Sequence, residues 1–310
     1  MKVEALSRGS IKAVNSIINN TLLVIILLLA AFAGYALWDS QQIHHAADKS
    51  NYAVYKPSVA DEGKSFKELQ DINPEVFAWL TVYGTNIDYP VTQGHDNMKY
   101  VNTNAEGQYS LSGAIFLDSN NSKDFSDFSN IVYGHHMAKN VMFGELDEFS
   151  DINKFETHKY GYLYFDGEEH GLEFFAFIHT DAYDYSVFNT FIDDDMRQEH
   201  LDGLLAKAIH MRDIGVTTQD RIVLLSTCSS TSTNGRDLLL GRVTDEVFEY
   251  TAEEENDGND RIDYSGMVGS GGMIESIPTW ALALIAILAA VLIVLFILII
   301  YRNRKKAKEY

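Results

Sequence analysis

Two uninterrupted apolar runs, Leu22 to Trp38 and Trp280 to Tyr301, bracket a chain whose middle alternates short apolar segments with polar turns. The second run holds 22 residues, which at about 1.5 Å each span roughly 33 Å, enough for a bilayer's hydrocarbon core. The first is shorter and carries no charge. Both predict spanning helices. A cleaved signal peptide, cut near Ala33-Gly34 or Ala36, is the rival reading of the first run. Its apolar core exceeds the usual length of such a leader, and Tyr35 and Trp38 fit an interfacial belt, which favours an uncleaved anchor.

Between the runs the pattern divides further. Residues 39–64 are polar and predict a stalk; 65–250 are globular in composition; 251–277 are acidic and glycine-rich, a flexible tether. Ser65 to Leu69 predicts a helix start, with Glu68 placed for a capping box. Asn73-Pro74 predicts a second helix, with Val76, Phe77 and Leu80 as its apolar face. Short β-rich segments follow: Thr85 to Val91, Ala114 to Leu117, Asn130 to Tyr133, Gly161 to Phe165, Leu172 to His179, Ile222 to Thr227 and Asp237 to Val243. Their length and spacing suggest an antiparallel barrel or sandwich. Asp194 to Met211 reads as an amphipathic helix, with Leu201, Leu204, Leu205, Ala208 and Ile209 on one face.

Charge fixes a topology. The net charge is −20. Residues 1–20 hold Lys2, Arg8 and Lys12 against Glu4, and residues 302–310 hold Arg302, Arg304, Lys305, Lys306 and Lys308 against Glu309. The ends therefore carry +6 and the middle −26. Basic flanks stay in the cytoplasm, so both termini are expected inside, with spans at 21–38 and 278–301 and the acidic domain outside the cell membrane. Nucleic acid is excluded as a partner, because an acidic domain repels phosphate.

Candidate chemistry centres on Cys228, the only cysteine. It ends the apolar run Ile222 to Leu225 in a polar stretch, and it has no disulfide partner in the chain. An inert buried thiol is the plain alternative. Asn234-Gly235 signals a turn, and a hairpin there would return Arg236 beside Cys228. Arg236 offers a permanent cation suited to a developing oxyanion. Arg242, on the same face, would lie about 20 Å further along. A cysteine nucleophile needs an imidazole. Of ten histidines, His44 and His45 lie in the stalk, and His95, His158, His170, His179, His200 and His210 read as surface or structural. His135-His136 remain, delivered at a strand end after Gly134. Asp118 to Asp124 resembles a calcium loop but has Lys123 and Ser129 where glycine and glutamate are required, so it reads as a polar loop. Zinc is not expected, since no closed ligand set exists. Gly63-Lys64-Ser65 is a chance match to a phosphate loop, with Ser58 in place of its upstream glycine.

Tyr133-Gly-His-His-Met137 running into Met142-Phe-Gly-Glu-Leu146, and Leu225-Ser-Thr-Cys228 followed by Asn234-Gly-Arg236, resemble the histidine and cysteine–arginine motifs of class B sortases. Asn73-Pro, Trp79-Leu, Gly84-Thr-Asn-Ile-Asp-Tyr-Pro-Val91, Gln93-Gly-His-Asp-Asn97 and Gly113-Ala-Ile-Phe-Leu-Asp118 match the same pattern, so the resemblance runs from about Ser65 to Tyr250. It implies a mainly β (α+β) fold: an eight-stranded β-barrel with added helices, here flanked by two transmembrane helices. It also implies an extracytoplasmic cysteine transpeptidase of a Gram-positive bacterium, with His135 as catalytic histidine, Cys228 as nucleophile and Arg236 steadying substrate and oxyanion. Asn97, Val101, Tyr133, Ser226 and Thr227 fall where the resemblance suggests a substrate groove, and His136 takes a position that varies in the family.

The implied reaction cleaves a C-terminal sorting motif of a secreted protein through a thioester. The product then passes to an amine of a peptidoglycan cross-bridge or a pilin. No metal or organic cofactor is required. A second span is familiar instead from pilus-building class C sortases, but no lid segment of the Asp-Pro-Trp/Phe kind precedes the domain. A hydrolytic extracellular cysteine protease and a non-catalytic, membrane-tethered binding module are the alternative functions.

Overall fold

A computed structural model describes residues 2–57, 63–228 and 234–249. The expected tether, second span and basic tail lie outside the described residues. The chain opens with helix α1 (Lys2–Ala46). Within it, Ala13–Ala46 is long and apolar enough to cross a membrane, the one such helix among the described residues. Its apolar side chains face outward, as at Leu28, Leu29 and Phe32.

The polar segment after α1 is not a free stalk. Ala47 and Tyr52 are buried against the domain, and Lys56 pairs with Asp88 at 2.9 Å. Helix α2 (Lys64–Ile72) follows, burying Phe66 and Leu69. The expected capping box does not form: Gly63, at φ 71°, is the N-cap, and the Ser65 hydroxyl instead donates to the Lys56 carbonyl.

Nine strands come next: β1 (Val76–Val82), β2 (Asp88–Thr92), β3 (Ile115–Leu117), β4 (Ser129–Tyr133), β5 (Tyr160–Phe165), β6 (Glu168–Asp181), β7 (Ala208–Met211), β8 (Arg221–Cys228) and β9 (Gly235–Thr244). Their lateral order is β5-β1-β2-β3-β4-β8-β9-β6-β7, and β5 also pairs with β6. That last pairing closes eight strands into a barrel and leaves β7 as an addition on β6. Neighbours are antiparallel except β2–β3 and β4–β8.

Two expected helices are corrected. Residues 76–82 form β1, because Val-Phe-Ala-Trp-Leu-Thr-Val is β-branched and aromatic and six of its seven positions are buried, so both faces pack, as a strand allows. Asn73 ends α2 rather than starting a helix, and its amide donates to the Tyr100 hydroxyl and the Ala105 carbonyl. The long helix over 194–211 stops early: α4 covers Arg197–Ala206, and Ala208–Met211 pair with β6 as β7. The short helix α3 (Ile152–Thr157) precedes β5.

Alternation along the strands separates two apolar clusters. Val132, Val223, Leu225 and Leu239 join the larger cluster, which fills the barrel. Ile131, Ile222, Leu224, Leu238 and Leu240 face the other way, against Leu201 and Leu204 of α4. The outer face of β4, β8 and β9 is therefore covered along most of its length and ends at the tips of β4 and β8.

Candidate active site

β8 sets the frame. Because side chains alternate, Ser226 and Cys228 share the outer face with Leu224, and Thr227 faces inward with Leu225. β8 and β9 form an antiparallel hairpin in which Cys228 stands directly opposite Arg236. Opposed residues project to the same side of a sheet, so sulfur and guanidinium share one face. Arg236 also stands opposite Thr180 of β6.

The parallel neighbour β4 aligns Tyr133 with Ser226, and the Gly134 amide still donates to the Ser226 carbonyl at 3.1 Å. Each segment runs two residues beyond that pair to reach the candidate groups: β8 continues as strand to Cys228, whereas β4 ends at Tyr133 and His135 stands in the loop that follows it. Sequence placed these three side chains at strand ends; the ladders place those ends side by side.

Gly134 is dictated by packing. A Cβ there would come within 2.5 Å of Ile115 Cδ1 and 2.7 Å of Phe143. After His135 the chain folds back through Lys139, Asn140 and Met142, all with positive φ. The Phe143 amide then donates to the His135 carbonyl at 3.0 Å. The imidazole Nε2 sits 2.8 Å from the Val101 carbonyl. A carbonyl only accepts, so Nε2 carries a proton and Nδ1 is left for proton exchange.

The cysteine is exposed, unlike the buried hydroxyls of Ser226 and Thr227, which make no hydrogen bond within the described protein. Arg236 donates to the Gly235 carbonyl at 2.9 Å and has no carboxylate partner among the described residues. Asp237, its neighbour, is engaged elsewhere, 2.7 Å from His179 Nδ1. Arg242 is neutralised by Glu173, which removes it as a competitor.

Asp118 organises the flank of this face and is the residue that sequence reasoning missed. Only 4% exposed, it accepts from Asn97 Nδ2 at 2.7 Å and from the Tyr133 hydroxyl at 3.1 Å. Asn97 Oδ1 in turn accepts from the Ser119 amide. Burial first, and then the Asp118 charge, push the Tyr133 phenol well above its ordinary range; the nearby Arg236 cation opposes the shift. The motif ending in Asp118 was visible in the sequence, but its partners lie 15 and 21 residues away.

Other histidines are engaged away from this face: His136 pairs with Asp147 at 2.9 Å, and His158 and His210 contact the carbonyls of Gly84 and Ser150. His200 is buried against Phe128. A cavity of about 650 Å³ between α2 and the β5–β6 turn contains none of the expected site residues.

No protein-family profile matches the chain. It is 33% identical over 165 residues to sortase B of Staphylococcus aureus, covering 53% of this chain and 67% of that protein. Among solved structures it matches sortase B from the type II pilus of Streptococcus pneumoniae, with 44% identity, a TM-score of 0.52, and coverage of 58% of this chain and 99% of that one. The chain belongs to the class B sortases. A second structure, the Streptococcus pyogenes class B sortase Spy0129 involved in pilus biogenesis, gives 41% identity and a TM-score of 0.54, covering 59% of this chain and 99% of that one. As a class B sortase the chain is a cysteine transpeptidase on a closed eight-stranded barrel.

Proposed function

We propose that Cys228, His135 and Arg236 carry the transpeptidation, acting on the C-terminal sorting motif of a secreted protein. The observation that supports this reading is the double register: Cys228 opposite Arg236 across the hairpin, and β4 aligned with β8 up to Tyr133 opposite Ser226, with His135 and Cys228 each following two residues later. The thiolate of Cys228 attacks the scissile carbonyl carbon, forming a C–S bond and placing negative charge on the carbonyl oxygen. Arg236 holds that oxyanion. Collapse breaks the C–N bond, and imidazolium His135 gives its proton to the leaving amine. An incoming amine attacks the thioester, passes a proton to the now neutral His135, and expels the thiolate as the new amide forms.

On the outer face at the tips of β4 and β8, Tyr133 and Ser226 would floor the groove for the motif, flanked by Asn97 and Val101, and Thr227 would line it from beneath through its backbone. The Ser226 hydroxyl, on the face of Cys228 and without a partner among the described residues, is a donor for a peptide backbone. The acceptor is a primary amine of a peptidoglycan cross-bridge or of a pilin lysine. The pilus roles of the two streptococcal relatives support the pilin. α1 would act as the membrane anchor, with a second span at 278–301, both termini cytoplasmic and the barrel outside, because the terminal flank of each apolar run is basic.

The test uses the full chain in detergent with a panel of sorting-motif peptides and a short amine acceptor. A covalent acyl adduct on Cys228 and an amine-extended product are expected, and Cys228→Ala should abolish both. Retained turnover in Cys228→Ala would remove the nucleophile. Labelling of Cys228 by a thiol probe should fall in His135→Ala. Cleavage without amine incorporation would mark a hydrolase instead.

A further inference from the structure

The carbonyls at the C-terminal end of a helix lack intrahelical partners and need donors from elsewhere. α1 ends at Ala46, and the carbonyl of Ala47 accepts from the Tyr89 hydroxyl at 3.0 Å. The same hydroxyl accepts from the Met142 amide, also at 3.0 Å. One phenol thus bridges the end of the N-terminal helix and the loop that follows His135. Ala47, Tyr89 and Met142 are 1%, 2% and 2% exposed, which keeps solvent from replacing either bond. Tyr52 packs edge-on against the Tyr89 ring, with centroids 6.5 Å apart.

Met142 is well placed to transmit this restraint. It has φ 54°, a conformation a β-substituted residue adopts only under constraint. It bridges His136 across the loop, and the next residue, Phe143, bonds the His135 carbonyl. From Ala47 to His135 the connection is continuous: helix-end carbonyl, phenol, Met142 amide, the two-strand bridge, His135 backbone.

We propose that Tyr89 is a positioning residue for transpeptidation, fixing the His135 loop through the Met142 amide and tying that loop to the end of α1. The proposal rests on His135 as the catalytic imidazole. Tyr89 touches neither substrate nor sulfur, and its effect is on the placement of the imidazole.

Tyr89→Phe keeps the ring and removes both bonds. In the full chain, assayed on whichever panel peptide the unsubstituted enzyme turns over, kcat should fall on the order of tenfold with KM changed less than about twofold. Tyr162→Phe is the control: it removes a phenol that bonds Glu169 across β5–β6 and makes no bond to the loop among the described residues, so it should lower thermal stability without lowering kcat. Equal kcat in Tyr89→Phe and Tyr162→Phe, at a temperature where both are folded, would overturn the proposal. Should Tyr89→Phe not fold, amide exchange in the unsubstituted chain decides. The Met142 amide is then expected to exchange as slowly as the β4 amide of Val132, and exchange as fast as that of exposed Lys139 would overturn the bridge. His135→Ala separates this idea from the one beneath it. Turnover surviving that substitution removes the catalytic reading, whereas turnover lost there but intact in Tyr89→Phe removes only the positioning role.

Discussion

β9 carries two arginines six residues apart on one face, and their surroundings differ. Arg242 meets Glu173 on β6, both side chains mostly buried, and its charge is spent there. Arg236 meets only a backbone carbonyl among the described residues and stands opposite the cysteine. Arg236→Ala is therefore expected to lower kcat by about 10²- to 10³-fold, and Arg236→Lys to recover only part of it, because a lysine lacks the planar fork. Arg242→Ala should leave kcat intact. It should cost about 1–3 kcal/mol in urea unfolding, since Glu173 loses its partner. Hairpin spacing alone favours Arg236 over Arg242. Asp118 was not, because what makes it central is a set of partners contributed by distant turns.

At the scale of the element, the loop after β4 is the most tightly specified part of the site. A Cβ on Gly144 would lie 2.1 Å from the Met137 carbonyl oxygen and 2.9 Å from that of Val141, and backbone cannot yield as a side-chain tip can. Gly144→Ala should cost about 1–3 kcal/mol and lower kcat with it, because the displaced backbone leads directly to His135; parallel denaturation and turnover measurements would show both. Seven of the nine strands were visible as short β-rich runs. β1 was hidden by Asn73-Pro74, a helix-start signal that here closes the preceding helix. β7 was hidden because Ala208 and Ile209 continue the helical spacing of Leu201 and Leu204, while the edge of β6 claims the backbone. Local pattern found the buried Leu201 and Leu204 but put exposed Ile209 on the same face, and hydrogen-bonding partners remote in sequence decided the elements.

For the whole molecule, acidity sets a limit on stability. Burial is the main cause lowering the pKa of His158, His170 and His200; Lys154 adds to it at His158 and Arg221 at His170. A lowered folded value means that the unfolded chain takes up protons first as pH falls through about 6.5. Stability is thus fully present above that value and declines below it until the folded imidazoles titrate. The urea midpoint should drop between about pH 7 and pH 5, and the drop should shrink in His200→Phe. Closure of the barrel has a separate consequence. With eight strands consuming one another's amides and carbonyls, the described fold offers a visiting β-segment only the four residues of β7. The closed barrel thus leaves other chains almost nowhere to polymerise onto it.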